Sequence, residues 1–208
     1  MITHWTQMAV ASAMVLYVGA FVVTMVAVRH STGENPRGHA RGHVAAAMLN
    51  LLATLLLLVT AITYSTEAQS VDLFGRISIL DGALAQGAGT ASLILAGICM
   101  IWGELSLGRS FRVALPEHKQ PLVTHGIYRF TRNPLALSVD LLALGVLLLA
   151  PSFLALASWV LNIIAYEGKI RIEEAYLRKA HGAAYTAYCQ RTGRYLPRLF
   201  QGRGTGMI

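Results

Sequence analysis

Charged side chains that could bind a ligand lie close together in one stretch near the end of the chain. Lys169 and Glu173 are four residues apart, and this spacing places two side chains on one face of a helix. We therefore expect both to address the same cavity. Glu174 is rotated about the helix axis by about 100° from Glu173, so its role need not be that of Glu173. It can pair with Arg178, four residues later.

Two more candidates for chemistry precede this stretch. Arg132 stands in the sequence Arg132-Asn133-Pro134, and Asp140 follows it inside an apolar run. Carboxylates inside a membrane are energetically costly and usually face the protein interior or a water-filled site. Asp140 is therefore a candidate catalytic residue. Glu104, near the end of an earlier apolar run, can reach the membrane interface, and we expect it to be structural.

The composition of the chain indicates the class of protein that holds these residues. Of its 208 residues, 55% are hydrophobic and 13% are charged, and the mean hydropathy is +0.53. Soluble domains contain about 25% charged residues. The composition thus excludes a disordered chain and an ordinary water-soluble enzyme, and it favours an integral membrane protein.

Five apolar runs predict an all-α membrane protein with about five transmembrane helices. The last two runs are separated by Pro151 and Ser152, so we expect them to form a helical hairpin, followed by a cytoplasmic amphipathic C-terminal helix. The first run lacks the basic region of a signal peptide and is expected to be retained. The runs are 5–28, 44–64, 89–107, 134–150 and 153–166.

A single membrane domain, 1–208, accounts for this pattern. It consists of three N-terminal spans over 1–107, a core over 108–200 and a flexible tail over 201–208. The loop 65–88 alternates between apolar and polar residues in part, so it can form a short hairpin or an interfacial segment.

The basic residues predict the orientation of the chain. All but one of the 17 Lys and Arg residues lie in 29–43, 108–133 and 167–208, the exception being Arg76. The positive-inside rule places these segments in the cytoplasm and the N-terminus outside, and we expect the bacterial inner membrane. Because this charge lies beside the spans, it indicates topology and contact with anionic lipids, not nucleic-acid binding.

The cysteines and histidines do not predict a metal site or a disulfide. Cys99 and Cys189 lie far apart, one in an apolar run and one in a basic stretch, so we expect free thiols. The histidines His118, His125 and His181 lack metal-ligand spacing with Cys or acidic residues.

The motifs around the hairpin resemble those of a known family. Leu-Val-Thr-x-Gly-Ile-Tyr-Arg-x-x-Arg-Asn-Pro from Leu122, then the apolar hairpin and Arg-Ile-Glu-Glu from Arg171, are similar to the C-terminal half of the isoprenylcysteine carboxyl methyltransferase-like membrane methyltransferases. Phospholipid methyltransferases share much of this pattern. The resemblance covers roughly Gly108 to Pro197. It implies S-adenosylmethionine as cofactor and methyl transfer to a lipophilic or small thiol, carboxyl or amine acceptor.

The resemblance also implies roles for individual residues. Arg132, in the matching motif, is a candidate catalytic residue beside Asp140, which only its place in an apolar run singles out, and Lys169, Arg171 and Ala136 are candidate substrate contacts. Ala136 replaces a tyrosine of the family, so one aromatic wall is missing. The implied cofactor contacts are Gln120, Leu122, Val123, Gly126, Tyr128, Asn133, Pro134 and Glu173.

Simpler roles remain open for some of these side chains. Tyr128 can be an interfacial tyrosine, Glu173 a solvated carboxylate, and Arg132 a side chain that extends to lipid phosphate. Tyr185 and Tyr188, three residues apart, are expected to pack the C-terminal helix onto the core.

Two other functions compete with methyl transfer. One is an NAD(P)H-dependent membrane lipid or sterol reductase, and the other is a catalytically inactive membrane scaffold. A carboxylate or thiolate acceptor would need no general base, whereas an amine can lose its proton to water or to a nearby carboxylate. The sequence leaves the acceptor and the oligomeric state open.

Overall fold

Seven helices make up most of the chain in the computed structural model. It describes residues 4–32, 44–111 and 120–197, so the predicted tail and His118 lie outside the described residues. Within those ranges there are two isolated β-bridges and no β-strand. The helices are α1 (His4–Thr32), α2 (Val44–Thr66), α3 (Ser70–Leu73), α4 (Ala83–Leu107), α5 (Pro134–Leu149), α6 (Phe153–His181) and α7 (Ala183–Arg191).

Four of these helices are long and apolar enough to cross a membrane, and this confirms an all-α membrane protein. They comprise His4–Ser31, Met48–Thr66, Ala83–Leu107 and Phe153–His181. The remaining predicted span forms a shorter apolar helix, Pro134–Leu149. Sixteen residues extend about 24 Å, less than the roughly 30 Å of the hydrocarbon core.

The helix boundaries differ from the predicted runs in two places. α4 begins at Ala83, before the predicted start at Gly89. α6 continues beyond Tyr166 to His181, so the last span and the predicted amphipathic segment form one helix. The helix ends where Gly182 adopts a φ of 52° and a ψ of −122°, a combination that glycine tolerates because it has no Cβ.

The loop 65–88 does not form the hairpin that was one of its two expected forms. It contains α3 and a 3-10 turn, Ser78–Leu80. Arg76 bonds Asp81 at 2.7 Å and Asp72 at 3.2 Å, and the bond to Asp81 raises the pKa of the guanidinium. Local ion pairs and an isolated β-bridge between Arg76 and Ser152 therefore organise this loop.

Small residues bring α4 and α5 together. A Cβ on Gly145 would lie 2.6 Å from Cδ2 of Leu93, and a Cβ on Gly89 would lie 3.2 Å from the Gly145 carbonyl oxygen. Helices in a membrane commonly approach through such small residues. The buried core continues from this crossing to α1 and α2, and it includes Val10, Leu57, Ala61, Leu93, Ala96, Leu142, Ala143 and Val146.

The bundle has two ends with different side-chain contacts. At the Arg76 end, the Thr6 and Tyr64 hydroxyls are 2.7 Å apart, and Ile77 N–H donates to the Pro151 carbonyl at 2.9 Å. At the opposite end, the Thr24 hydroxyl donates to Glu104 at 2.7 Å. Glu104 is buried between α1 and α4, as expected for a structural residue.

Candidate functional site

A cleft of about 1160 Å³, counted up to its open mouth, lies at the end of the bundle opposite Arg76. Its walls are the start of α5, the middle of α6, α7, and the segment before α5. We call it the α5–α6 cleft. Nine of the residues given a catalytic, cofactor or substrate role from the sequence line it, namely Gln120, Leu122, Val123, Tyr128, Arg132, Asn133, Ala136, Lys169 and Glu173.

One face of α6 forms a wall of the α5–α6 cleft. Its residues recur every three or four positions, as a single helix face requires. Lys169 Nζ lies 3.7 Å from Glu173 Oε1, and each side chain is just over one-third exposed. The ammonium group also lies 5.6 Å from the ring centre of Tyr166. The wall consists of Tyr166, Lys169, Ile170, Glu173 and Leu177.

Tyrosines supply aromatic surface to the same cleft. Tyr128 is 8% exposed, and the Tyr188 hydroxyl donates to the Tyr128 carbonyl at 2.8 Å. Burial raises the pKa of Tyr128, so its phenol is neutral at pH 7. Tyr185 and Tyr188 are buried as expected for packing residues, yet they also line the cleft.

Glu174 pairs with residues other than the one that its helix spacing suggested. It accepts from Arg132 at 3.0 Å and from Arg194 at 2.7 Å, whereas Arg178 lies 5.9 Å from the ring centre of Tyr185. The expected pair with Arg178 is thus wrong, because Glu174 faces inward toward the returning C-terminal segment, where two guanidinium groups neutralise it.

Arg132 also points into the protein and away from lipid. Its side chain is 10% exposed. One guanidinium nitrogen donates to the carbonyls of Cys189 at 3.1 Å and Thr192 at 2.8 Å, and the other donates to Glu174. Arg132 therefore connects the start of α5 to α6 and α7, and its Nη groups are used in that connection.

Two sequence candidates lie outside the cleft lining for reasons of backbone geometry. Gly126 has a φ of 58°, and a Cβ there would overlap the hydroxyl of Ser106. Pro134 is fully buried as the first residue of α5, a position where the missing N–H costs nothing. Both residues shape the backbone that precedes and starts α5.

Two charged candidates also lie outside the lining. Arg171 is 72% exposed and pairs with Glu167 at 2.9 Å. Of the two basic substrate candidates, Lys169 and Arg171, only Lys169 therefore faces the cleft. Asp140 lies four residues after Ala136, one helical turn deeper on the same side of α5. Its Oδ1 is buried and accepts no hydrogen bond from the part of the chain that the structure describes.

Several contributors to the site were not predicted. Arg194 interacts with Glu174 and Glu167, and it lies within the range of the resemblance, which gave it no role. Ile170 and Leu177 line the cleft, and their spacings of three and four residues from Glu173 were a usable signal. The partners of Arg194 gave no signal, because they are 20 and 27 residues away in sequence.

The described residues contain no group of three or more His, Cys, Asp or Glu side chains that could hold a metal ion. Cys99 and Cys189 are free thiols, as the sequence predicted.

A sequence model of the phospholipid methyltransferase family matches residues 84–184. A search of curated proteins gives no match. The matched segment begins within α4 and ends at the start of α7, so it includes most of the residues that line the α5–α6 cleft. Over this segment, a little under half of the chain, the protein is similar to the phospholipid methyltransferases.

Proposed function

We propose that the chain is an S-adenosylmethionine-dependent methyltransferase with its cofactor in the α5–α6 cleft. One observation supports this above all others. Three separate stretches that the sequence implicated, at 120–123, 128–136 and 169–173, contribute to the lining of one cleft. The cleft is open at its mouth, so a cofactor that enters it can contact all three stretches at once.

The donor set of the cleft fits this cofactor. The amino group of S-adenosylmethionine can bind a carboxylate, and its carboxylate can bind a cation. Glu173 and Lys169 face the cleft together and supply these two groups. The adenine of the cofactor calls for apolar or aromatic walls, which Tyr128 and Leu122 can form. Glu174 is already paired with two guanidinium groups, so Glu173 is the carboxylate we assign to the cofactor.

The residues of the chain act mainly by positioning and by excluding water. When bound, S-adenosylmethionine supplies a methyl group for in-line displacement by a nucleophile. Orientation and removal of water can account for much of the acceleration of such a reaction. Asn133 and Ala136 at the start of α5 oppose Glu173 on α6 across the cleft, and they fix where an acceptor can sit.

We propose an acceptor that is lipophilic and reaches the cleft from the bilayer. Leu107, at the end of the α4 span, and Leu135, in the first turn of α5, both line the cleft. An acceptor head group can therefore meet the cofactor while its apolar part stays in lipid. By the positive-inside rule this end of the bundle is cytoplasmic and the N-terminus is outside, in a bacterial inner membrane. On this proposal 1–208 act as one membrane domain.

A nicotinamide cofactor fits the same cleft less well, because its pyrophosphate needs cationic groups. Among the described residues that line the cleft, the cations are Arg132 and Lys169. Arg132 is bound to Glu174, and Lys169 lies beside Glu173. Neither offers an uncompensated positive charge to a pyrophosphate.

Calorimetric titration of the detergent-purified protein tests the proposal. We expect S-adenosylhomocysteine to bind and NADPH not to bind. Binding of NADPH alone would favour the reductase, and binding of neither would favour an inactive scaffold. Incubation of membranes with methyl-labelled S-adenosylmethionine, followed by lipid analysis, would then identify the acceptor.

A further inference from the structure

The C-terminal segment after α7 returns to the residues that precede α5, and its carbonyls accept hydrogen bonds from them. Arg132 N–H donates to the Gly193 carbonyl at 2.9 Å. The Thr131 hydroxyl and the Asn133 side-chain amide both donate to the Arg194 carbonyl, at 3.1 Å and 3.2 Å. Three consecutive residues before α5 are therefore held by two consecutive residues of this segment.

The side chain of Arg194 fixes the same segment to α6. Its Nη2 and Nε donate to the two carboxylate oxygens of Glu174 at 2.7 Å and 3.2 Å. Its Nη1 donates to Glu167 at 2.9 Å. Bidentate pairing of this kind fixes the angle as well as the distance between two groups. Arg194 thus joins α6 to the start of α5 through its side chain and its carbonyl.

These contacts determine the geometry of the α5–α6 cleft. Asn133 lines the wall on the α5 side, and Glu173, adjacent to Glu174, lines the wall on the α6 side. Arg194 does not line the cleft and follows the segment that matches the family. Its effect on a ligand must therefore act through Asn133 and Glu174.

We propose that Arg194 is a positioning residue of the methyltransferase site, which sets the separation between Asn133 and Glu173. This inference rests on the proposed function. It makes the C-terminal segment part of the site, although that segment contributes no group to the cleft wall. It also gives Arg132 and Glu174 the same positioning role, since both belong to the connection that Arg194 completes.

Arg194→Gln tests the proposal, with Arg194→Lys as the conservative variant and Arg191→Gln as the matched control. Arg191 is exposed and lies in the last turn of α7, so its replacement removes the same charge nearby. For Arg194→Gln we expect about tenfold weaker binding of S-adenosylhomocysteine and faster amide hydrogen exchange in 131–133 but not in α2. Arg194→Lys should restore part of the affinity, and Arg191→Gln should match the wild type.

The outcomes separate this inference from the proposed function. Wild-type affinity in Arg194→Gln, or unchanged exchange in 131–133, would overturn the positioning role. Equal losses in Arg194→Gln and Arg191→Gln would also overturn it, because a general charge effect would explain them. If the wild type fails to bind S-adenosylhomocysteine, the proposed function fails, while the exchange measurement still decides whether Arg194 holds the start of α5. If Arg194→Gln no longer unfolds cooperatively, the Lys variant decides by the same two measurements.

Discussion

The two ends of the bundle use the same chemistry, ion pairs of arginine with carboxylates, for different structural purposes. At the Arg76 end, Arg76 bonds Asp72 and Asp81, four and five residues away. At the cleft end, Arg132 bonds Glu174 across 42 residues of sequence. The local pairs close a loop, whereas the distant pair joins two helices.

The two ends also differ in burial and in the space that they enclose. The side chains of Arg76 and Asp72 are 30% and 57% exposed, and those of Arg132 and Glu174 are 10% and 6% exposed. The pocket beside Arg76 is about 280 Å³ and the α5–α6 cleft about 1160 Å³. The cleft end, with a buried ion pair beside a large cleft, has the arrangement expected of a binding site. The Arg76 end, with an exposed local pair beside a small pocket, has the arrangement expected of a closed loop.

The largest expected effect is a loss of stability when the buried connection is broken. Glu174→Ala leaves Arg132 buried beside a cavity and without its carboxylate, which should cost on the order of 3–5 kcal/mol. Thermal unfolding in detergent, followed by circular dichroism, measures the change. A cost below about 1 kcal/mol would show that the buried Arg132–Glu174 pair stabilises the protein no more than an exposed pair does.

A second prediction separates stability from activity at Asp140. Since its buried Oδ1 accepts no hydrogen bond from the described residues, Asp140→Leu, which removes that atom in a side chain of similar shape, should raise the free energy of unfolding by about 1–3 kcal/mol. If Asp140 takes part in the reaction, methyl transfer to membrane lipids should fall in the same variant. Increased stability with undiminished methyl transfer would remove Asp140 from the candidate catalytic residues.

A third prediction concerns the backbone that leads to the cleft. Gly126→Ala places a side chain at a positive φ, which costs about 1–2 kcal/mol, and against the Ser106 hydroxyl. Gly87→Ala is the matched control, because a Cβ at that α4 position meets no atom within 4 Å. Unfolding temperatures in detergent should fall for the first variant and stay equal or rise for the second. The opposite order would contradict the account of Gly126.

The smallest effect is expected at the Arg76 end. Asp81→Asn removes one partner of an exposed guanidinium that keeps its bond to Asp72, so the loss of stability should be about 0–1 kcal/mol. Binding of S-adenosylhomocysteine should not change. A loss as large as that of Glu174→Ala would mean that the Arg76 end is also a buried connection.

The sequence predicted the elements of this protein better than the contacts between them. Apolar length identified the membrane helices, and helix spacing placed Lys169 and Glu173 on one face, because both depend on nearby residues. The partners of Glu174 depend on where residues 192–195 return in space. A four-residue spacing therefore suggested Arg178, whereas the fold brings Arg132 and Arg194. Gly126 similarly matched a motif, yet its φ and its contact with Ser106 explain its presence.

The assignment of Glu173 to the cofactor is tested most directly by calorimetric titration with S-adenosylhomocysteine. The wild type and Glu67→Gln, in which an exposed carboxylate outside the cleft is changed, should bind equally well. Glu173→Gln should bind about 1–3 kcal/mol more weakly, because a charge-assisted hydrogen bond is lost. Equal affinity in all three proteins would contradict the proposed cofactor site.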